Sequence, residues 1–451
     1  MGWDLALAAT ATYAKPEPFE TFRRHIDAGW IEAALAATGT ATVRRRRLPV
    51  EEVVWVVLGM ALFRDRPIED VVSKLDLGLP GGGGTVARSS IAQARSRLGS
   101  EPMKWLFERS ASAWAHASAD AHRWRGLALY GIDGSSLRVP DTPENREHFG
   151  GQSGRRGSES GYPMARIVAL MVLRSHLLAG AWFGPYGGTN ELDPAKQLRA
   201  CIRDDSLTVV DRGFLAAPML LGIETSGQNR HWLTRAKSNS KWRVLESLGK
   251  GDELVEMDVS SHARRQDPSL PRTWKVRAIR YHRKGFRPQT LLTSLLDAKL
   301  YPADEIVALY HERWELELGY DELKTELLDR EEAIRSKKRK GVEQELWGIL
   351  LAYNLVRLEM ARVAKVAKVE PTRISFVESL RLIRDEWAWL SVTSPGAIPK
   401  RLASMRANLK RYILPPRRTK RVYPRAVKIK MSNYARKRPV IETQEKPEKQ
   451  G

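Results

Sequence analysis

Between Pro302 and Arg330 the chain reads PADEIVALYHERWELELGYDELKTELLDR, and no other stretch limits the fold as tightly. The spacing predicts one long helix. Pro302 suits a first helical turn, and Asp304 and Glu305 suit the positive end of the helix dipole. Leu309, Leu316, Tyr320, Leu323 and Leu327 recur at helical spacing and form an apolar stripe that must pack on something. Beside it runs a second stripe, Tyr310, Arg313, Glu317 and Lys324, within an arc of roughly 60°. A carboxylate thus sits between two cations and a phenol on the flank of a buried helix. An ordinary solvated face, with Arg313 and Glu317 as an i,i+4 ion pair, has the same pattern.

The spacing Tyr-x2-Arg-x3-Glu-x6-Lys resembles the signature of bacterial cut-and-paste DDE transposases, the insertion-sequence-four group with a Tyr-Arg-Glu-Lys motif. In that family the glutamate is the third metal-binding carboxylate and the other three residues hold DNA-end phosphates. The resemblance implies these roles for Glu317 and for Tyr310, Arg313 and Lys324. It also requires two upstream aspartates, each at the end of a buried strand.

The pattern upstream meets that requirement. LALYGID (Leu127–Asp133), RIVALMVL (Arg166–Leu173), Leu177–Phe183, LTVVD (Leu207–Asp211) and HWLTRA (His231–Ala236) read as strands. Helices are expected at Pro194–Cys201 and Ala216–Ile223. This α/β order is compatible with an RNase H-like catalytic core. A β-rich insertion, about 237–301, includes strands at Trp274–Tyr281 and Leu291–Leu296. In the first of these, Lys275 and Arg277 share one face, and Trp274, Val276 and Ala278 the other. Trp274 is a candidate for stacking on a flipped base, as a tryptophan does in some family members, but its apolar face favours the core.

Residues 1–118 read as a helical N-terminal DNA-binding domain, with helices at Phe19–Ala37, Pro49–Phe63, Pro67–Leu75 and IAQARSRLG, the last capped by Ser89 or Ser90 and ended by Gly99. Gln93, Arg95 and Arg97 there either touch DNA or are solvated. Four cations at Arg44–Arg47 and the Gly81–Gly84 joint separate these helices. The catalytic domain is assigned to 119–363, and 364–451 to a helical C-terminal region with a basic tail. Helices are expected at Val342–Val363 and Arg373–Trp389. From Arg401 to Val440 there are fourteen Lys or Arg and no Asp or Glu, which reads as an extended DNA-tracking arm with Tyr412, Tyr423 and Tyr434 along it.

Charge points the same way. The net charge of +22 favours a polyanionic partner, nucleic acid before an anionic membrane. One cysteine, Cys201, excludes an internal disulfide framework and a cysteine-based zinc site, and fits a reduced, buried cytosolic thiol. The start carries Asp4 and no basic leader, so no signal peptide is expected. The longest apolar run, Val53–Phe63, is too short to span a bilayer. The expected location is the cytoplasm, in association with the nucleoid.

Asp133 and Asp211 each end a strand, which alone signals only a turn. With Glu317 they make three carboxylates, a set suited to Mg²⁺ or Mn²⁺, and two ions about 4 Å apart can activate water and stabilise the leaving 3′ oxygen. DGSSLRVPDTPEN (Asp133–Asn145) and DRGF (Asp211–Phe214) resemble the family's two aspartate motifs, with Ser135 where threonine is common. Arg212 in the second is a further candidate for DNA contact. Arg155 and Arg156, in a Gly/Ser-rich loop, either touch phosphate or decorate a surface loop. The resemblance implies metal-dependent cleavage at element ends, double-strand excision through a hairpin, strand transfer into target DNA and a homodimeric synaptic complex. The alternatives are a related nuclease that does not join strands and a catalytically silent, domesticated DNA-binding protein.

Overall fold

The computed structural model describes residues 26–40, 48–74, 86–151, 161–283, 287–328, 334–390 and 397–415. Arg44–Arg47, Gly81–Gly84, Arg155, Arg156, the start of the first helix and the tail beyond 415 lie outside them. The described residues through Leu414 form one compact unit.

Among the described residues six helices come first: α1 (Ala28–Ala37), α2 (Val50–Leu62), α3 (Ile68–Lys74), α4 (Arg88–Leu98), α5 (Glu101–Ser110) and, after a π-helical turn at Ala111–Ala115, α6 (His116–Ala121). The sequence of α2, VEEVVWVVLGMAL, has charge only in its first turn, and the rest of the helix is buried all round. Helix α4 stops at Gly99, whose φ of +69° favours glycine. Its N-cap is Ala87, without a side-chain bond, so neither Ser89 nor Ser90 caps it.

A nine-stranded mixed sheet follows. Its strands are β1 (Ala128–Arg138), β2 (Met164–Val172), β3 (Leu178–Pro185), β4 (Ser206–Val210), β5 (Arg230–Arg235), β6 (Arg243–Gly249), β7 (Asp252–Asp258), β8 (Thr273–Tyr281) and β9 (Gln289–Thr293). The order is β3-β2-β1-β4-β5-β9-β8-β7-β6. Only the pairs β1–β4 and β4–β5 are parallel. Short helices link the strands: α7 (Pro143–Phe149), α8 (Leu192–Leu198), α9 (Ala217–Thr225) and α10 (Ser261–Gln266). Side-chain alternation splits the core in two. Leu129, Leu207, Val209 and Leu233 face one layer, and Tyr130, Ile132, Val210 and Trp232 face the other.

The first layer is built from α11 (Ala303–His311), α12 (Trp314–Asp321), α13 (Arg339–Ala367), α14 (Phe376–Leu390) and α15 (Ile398–Leu409). Helix α13 is its axis. Leu346, Ile349, Leu350, Leu351, Tyr353, Leu355 and Val356 are all buried, each aliphatic side chain contributing roughly 1.5–3 kcal/mol. Its Asn354 accepts from the Leu178 amide at 2.8 Å and donates to the Leu178 carbonyl at 2.9 Å, which ties the start of β3 to the helix. Among the described residues no helix is long and apolar enough to cross a membrane.

Three expectations need correction. The 302–330 segment is not one helix. It breaks at Glu312–Arg313, where amides bond to carbonyls three residues back, and its last part, Glu322–Leu327, is π-helical. Strand β1 runs on to Arg138 because β2 pairs with it that far, so Asp133 is mid-strand. Of the two cations that share a face of β8, Lys275 is exposed and Arg277 is internal. It is fully buried, held by Asp252 at 2.8 and 2.6 Å and capping the carbonyls of Leu295 and Tyr301. Residues 398–409 are not an extended arm but helix α15, because Leu402, Met405 and Leu409 bury one face and Arg406 pairs with Glu359. Trp274 is buried against Trp232, ring centroids 5.3 Å apart, and belongs to the core.

Candidate active site

The parallel register places the two aspartates. Ile132 pairs with Val210, the last residue of β4, so Asp133 and Asp211 come next and lie side by side. They share the face of Leu129, Leu207 and Val209, which the signature segment covers. That segment sits close because Gly131 and Gly319 lack side chains. A Cβ on Gly131 would lie 2.8 Å from Leu316, and one on Gly319 2.5 Å from Met171.

Asp133 accepts the Gly134 amide at 2.8 Å, and the Tyr320 hydroxyl donates to its backbone carbonyl at 2.7 Å. Burial pushes the Asp133 carboxyl up to about 6, against the pull of the Gly134 amide and Arg313 and with a push from Asp211 and Glu191. Asp211 caps the 3₁₀ turn Arg212–Phe214 by accepting the Gly213 amide. Arg212 is exposed.

Glu317 accepts a hydrogen bond from Arg313 at 2.8 Å. Their side chains are 40% and 22% exposed, so the i,i+4 pair of the ordinary reading is present. The same guanidinium acts on Asp133. Tyr310 is buried, and desolvation raises its phenol, with Arg313 and Arg235 opposing and Asp211 adding. The Lys324 ammonium reaches the Ser135 hydroxyl at 3.3 Å, two residues along β1 from Asp133. The tight turn at Glu312–Arg313 overwinds the chain and the π turn underwinds it, so Tyr310, Arg313 and Lys324 all still face the middle of β1 and the end of β4.

Asp133 and Asp211 are therefore brought together, while Glu317 is engaged by Arg313. Among the described residues no three Asp, Glu, His or Cys side chains stand close enough to enclose a cation. A half-buried carboxyl of raised pKa beside a second carboxylate does fit a hard divalent cation, which would discharge the repulsion. The surrounding arginines and lysine suit phosphate.

Three neighbours carry little signal in the sequence. Arg235 ends the same row, since Val209 pairs with Leu233 two residues earlier. Its one mark is its place two residues after a buried leucine at a strand end. Tyr320 has the spacing of a core residue only, and Glu191, bonded to Arg166 at 2.9 Å, lies in a segment with no strand or helix pattern of its own.

Residues 16–108 match the family model described as insertion element 4 transposase N-terminal, and 125–355 match the transposase DDE domain. The chain is 40% identical over 413 residues to "Transposase InsG for insertion sequence element IS4" of Escherichia coli K12, covering 91% of this chain and 92% of that one. It is 36% identical over 278 residues to "Putative transposase InsZ" of the same organism, 59% of this chain and 91% of the relative. A solved piggyBac transposase synaptic complex with hairpin DNA aligns over 88% of this chain and 85% of its own, at 13% identity and a TM-score of 0.42. The chain belongs to the insertion element 4 family of DDE transposases, enzymes that cleave DNA and transfer its strands.

Proposed function

We propose that Asp133, Asp211 and Glu317 are the catalytic carboxylates of this transposase and that they hold divalent cations, two Mg²⁺ or Mn²⁺. The observation that carries the reading is the adjacency of Asp133 and Asp211 on the covered face, with Arg313 shared between Asp133 and Glu317. Bound there, the cations would supply Lewis acidity for phosphodiester hydrolysis and for attack by the freed 3′-OH on target DNA. Asp133, raised to about 6, would serve the cations as a carboxylate at neutral pH. Glu317, now paired with Arg313, would be the third ligand, and Arg313 would then be available to DNA phosphate. Tyr310, Lys324, Arg212 and Arg235 hold the phosphates around the scissile bond, and Tyr320 fixes the backbone of β1 beneath Asp133.

The core that carries these residues, β1–β5, is of the RNase H type, extended by the 237–301 insertion. Residues 1–118 recognise element ends, 119–363 perform the chemistry and 364–451 add a basic surface. Double-stranded DNA, as element ends and target, is the partner, and two copies assemble on paired ends. The work is done in the cytoplasm, at the nucleoid. Asp133→Ala, Asp211→Ala and Glu317→Ala should each abolish nicking of end DNA while leaving DNA binding intact. Metal-dependent cleavage by any one variant removes that residue from the site.

A further inference from the structure

Behind the Tyr310–Lys324 row is a second polar cluster that the chemistry does not use. His176, 1% exposed, stands in the β2–β3 turn with φ of +58°. Its Nε2 meets Glu315 at 2.9 Å and its Nδ1 meets Glu322 at 3.2 Å. From α13, the Tyr353 hydroxyl donates to Glu322 at 3.0 Å, and the buried Arg357 guanidinium contacts both Glu322 and His176. Arg357 also lies over the Phe376 ring, 5.6 Å from its centroid.

We propose that this cluster is a positioning device for Lys324. Glu315 and Glu322 are seven residues apart, about two helical turns, so both reach His176 only while the chain between them is helical and turned to α13. Glu322 is the first residue of the π turn, and Lys324 is two residues on. Fixing Glu322 from behind fixes where the π turn begins and so aims the Lys324 ammonium at Ser135, two residues along β1 from Asp133. Tyr320, two residues before Glu322, holds the front at Asp133. A buried carboxylate without partners is strongly disfavoured, so the turn has one satisfied setting.

The inference rests on Lys324 acting at DNA phosphate, and a double-mutant cycle separates the two ideas. The variants are His176→Asn, Lys324→Ala and both together. Asparagine tolerates the left-handed backbone while losing the two-sided imidazole contact. The readout is single-turnover cleavage of end DNA, below every variant's thermal midpoint. Lys324→Ala should slow cleavage roughly tenfold to hundredfold. His176→Asn should slow it on the order of tenfold, and the double variant should be no slower than Lys324→Ala alone. If Lys324→Ala is slow but the losses multiply, or if His176→Asn cleaves at the wild-type rate, the positioning role falls alone. A wild-type rate in Lys324→Ala sinks the phosphate reading and the positioning role with it. Should His176→Asn fail to fold, Tyr353→Phe removes only the hydroxyl on Glu322, and a cycle of Tyr353→Phe with Lys324→Ala distinguishes the same outcomes.

Discussion

The segment from Arg313 to Leu327 has an arginine–glutamate pair on each side. In front, Arg313 and Glu317 are 22% and 40% exposed. Behind, Arg357 and Glu322 are 1% and 18% exposed, with His176 and Tyr353 completing the contacts. The chemistry is the same and the energetics differ. An exposed i,i+4 pair holds by only about 0.3–0.5 kcal/mol and can open to admit a cation or a phosphate. A buried pair resists separation, because either ion left alone has lost its water. The front pair can be exchanged because the back pair cannot.

The largest effect that tests this contrast is on stability. Arg357→Met should cost about 3–5 kcal/mol of unfolding free energy, and Arg313→Met well under 1 kcal/mol. Equal costs, measured by denaturant titration, would erase the difference between the two sides. Next is rate. Arg313→Ala should slow single-turnover cleavage roughly tenfold to hundredfold while its thermal midpoint stays near the wild type. A lower midpoint with an unchanged rate would make Arg313 a structural residue like Arg357. Third is spacing between segment and sheet. Gly131→Ala inserts a methyl 2.8 Å from Leu173 and Leu316, and should cost about 1–3 kcal/mol. A neutral substitution would mean the segment is not pressed against β1.

The smallest signal is in acid. Burial raises the Glu322 carboxyl, but Arg357 and His176 outweigh it and hold the group at about 2. A carboxyl lowered from 4.5 to about 2 contributes stability that is complete above pH 4.5 and lost as pH falls toward 2. Wild type should therefore be more stable than Glu322→Gln above pH 4.5, and the gap should close below it. A gap that stays constant down to pH 2 would assign the stability to packing.

Much of the site was legible because burial writes a period into the chain. The runs at Ala128–Ile132 and Ser206–Val210 are apolar on both faces, so they read as central strands, and each hands over to an aspartate. Their parallel pairing then sets the two aspartates side by side without further information. Strand β6 gave no such signal. It is the sheet edge, its residues RVLESLG are almost all exposed, and a strand wet on both faces has no period to read. The break at Glu312 and the π turn were hidden for another reason. Their local sequence suits an α-helix, and what bends it is a set of partners more than a hundred residues away in chain position or on another helix: Arg174 on Glu312, His176 on Glu315 and Glu322, Arg357 on Glu322.

The place where the insertion joins the sheet has a practical side. The chain leaves at β5 and returns at β9, its immediate antiparallel neighbour, with Arg235 opposite Leu291 and the Ala236 amide bonded to the Thr290 carbonyl at 2.9 Å. The two ends already form the mouth of a hairpin, so the 237–288 stretch plugs in like a cartridge. A protein engineer could exchange it for a short turn or a reporter domain without re-threading the strands that carry Asp133 and Asp211. Three fittings must be replaced in any such swap: strand β8, which pairs with β9, the Trp274 ring packed on Trp232, and the guanidinium of Arg277, which now caps the carbonyls of Leu295 and Tyr301 at the entrance to the signature segment.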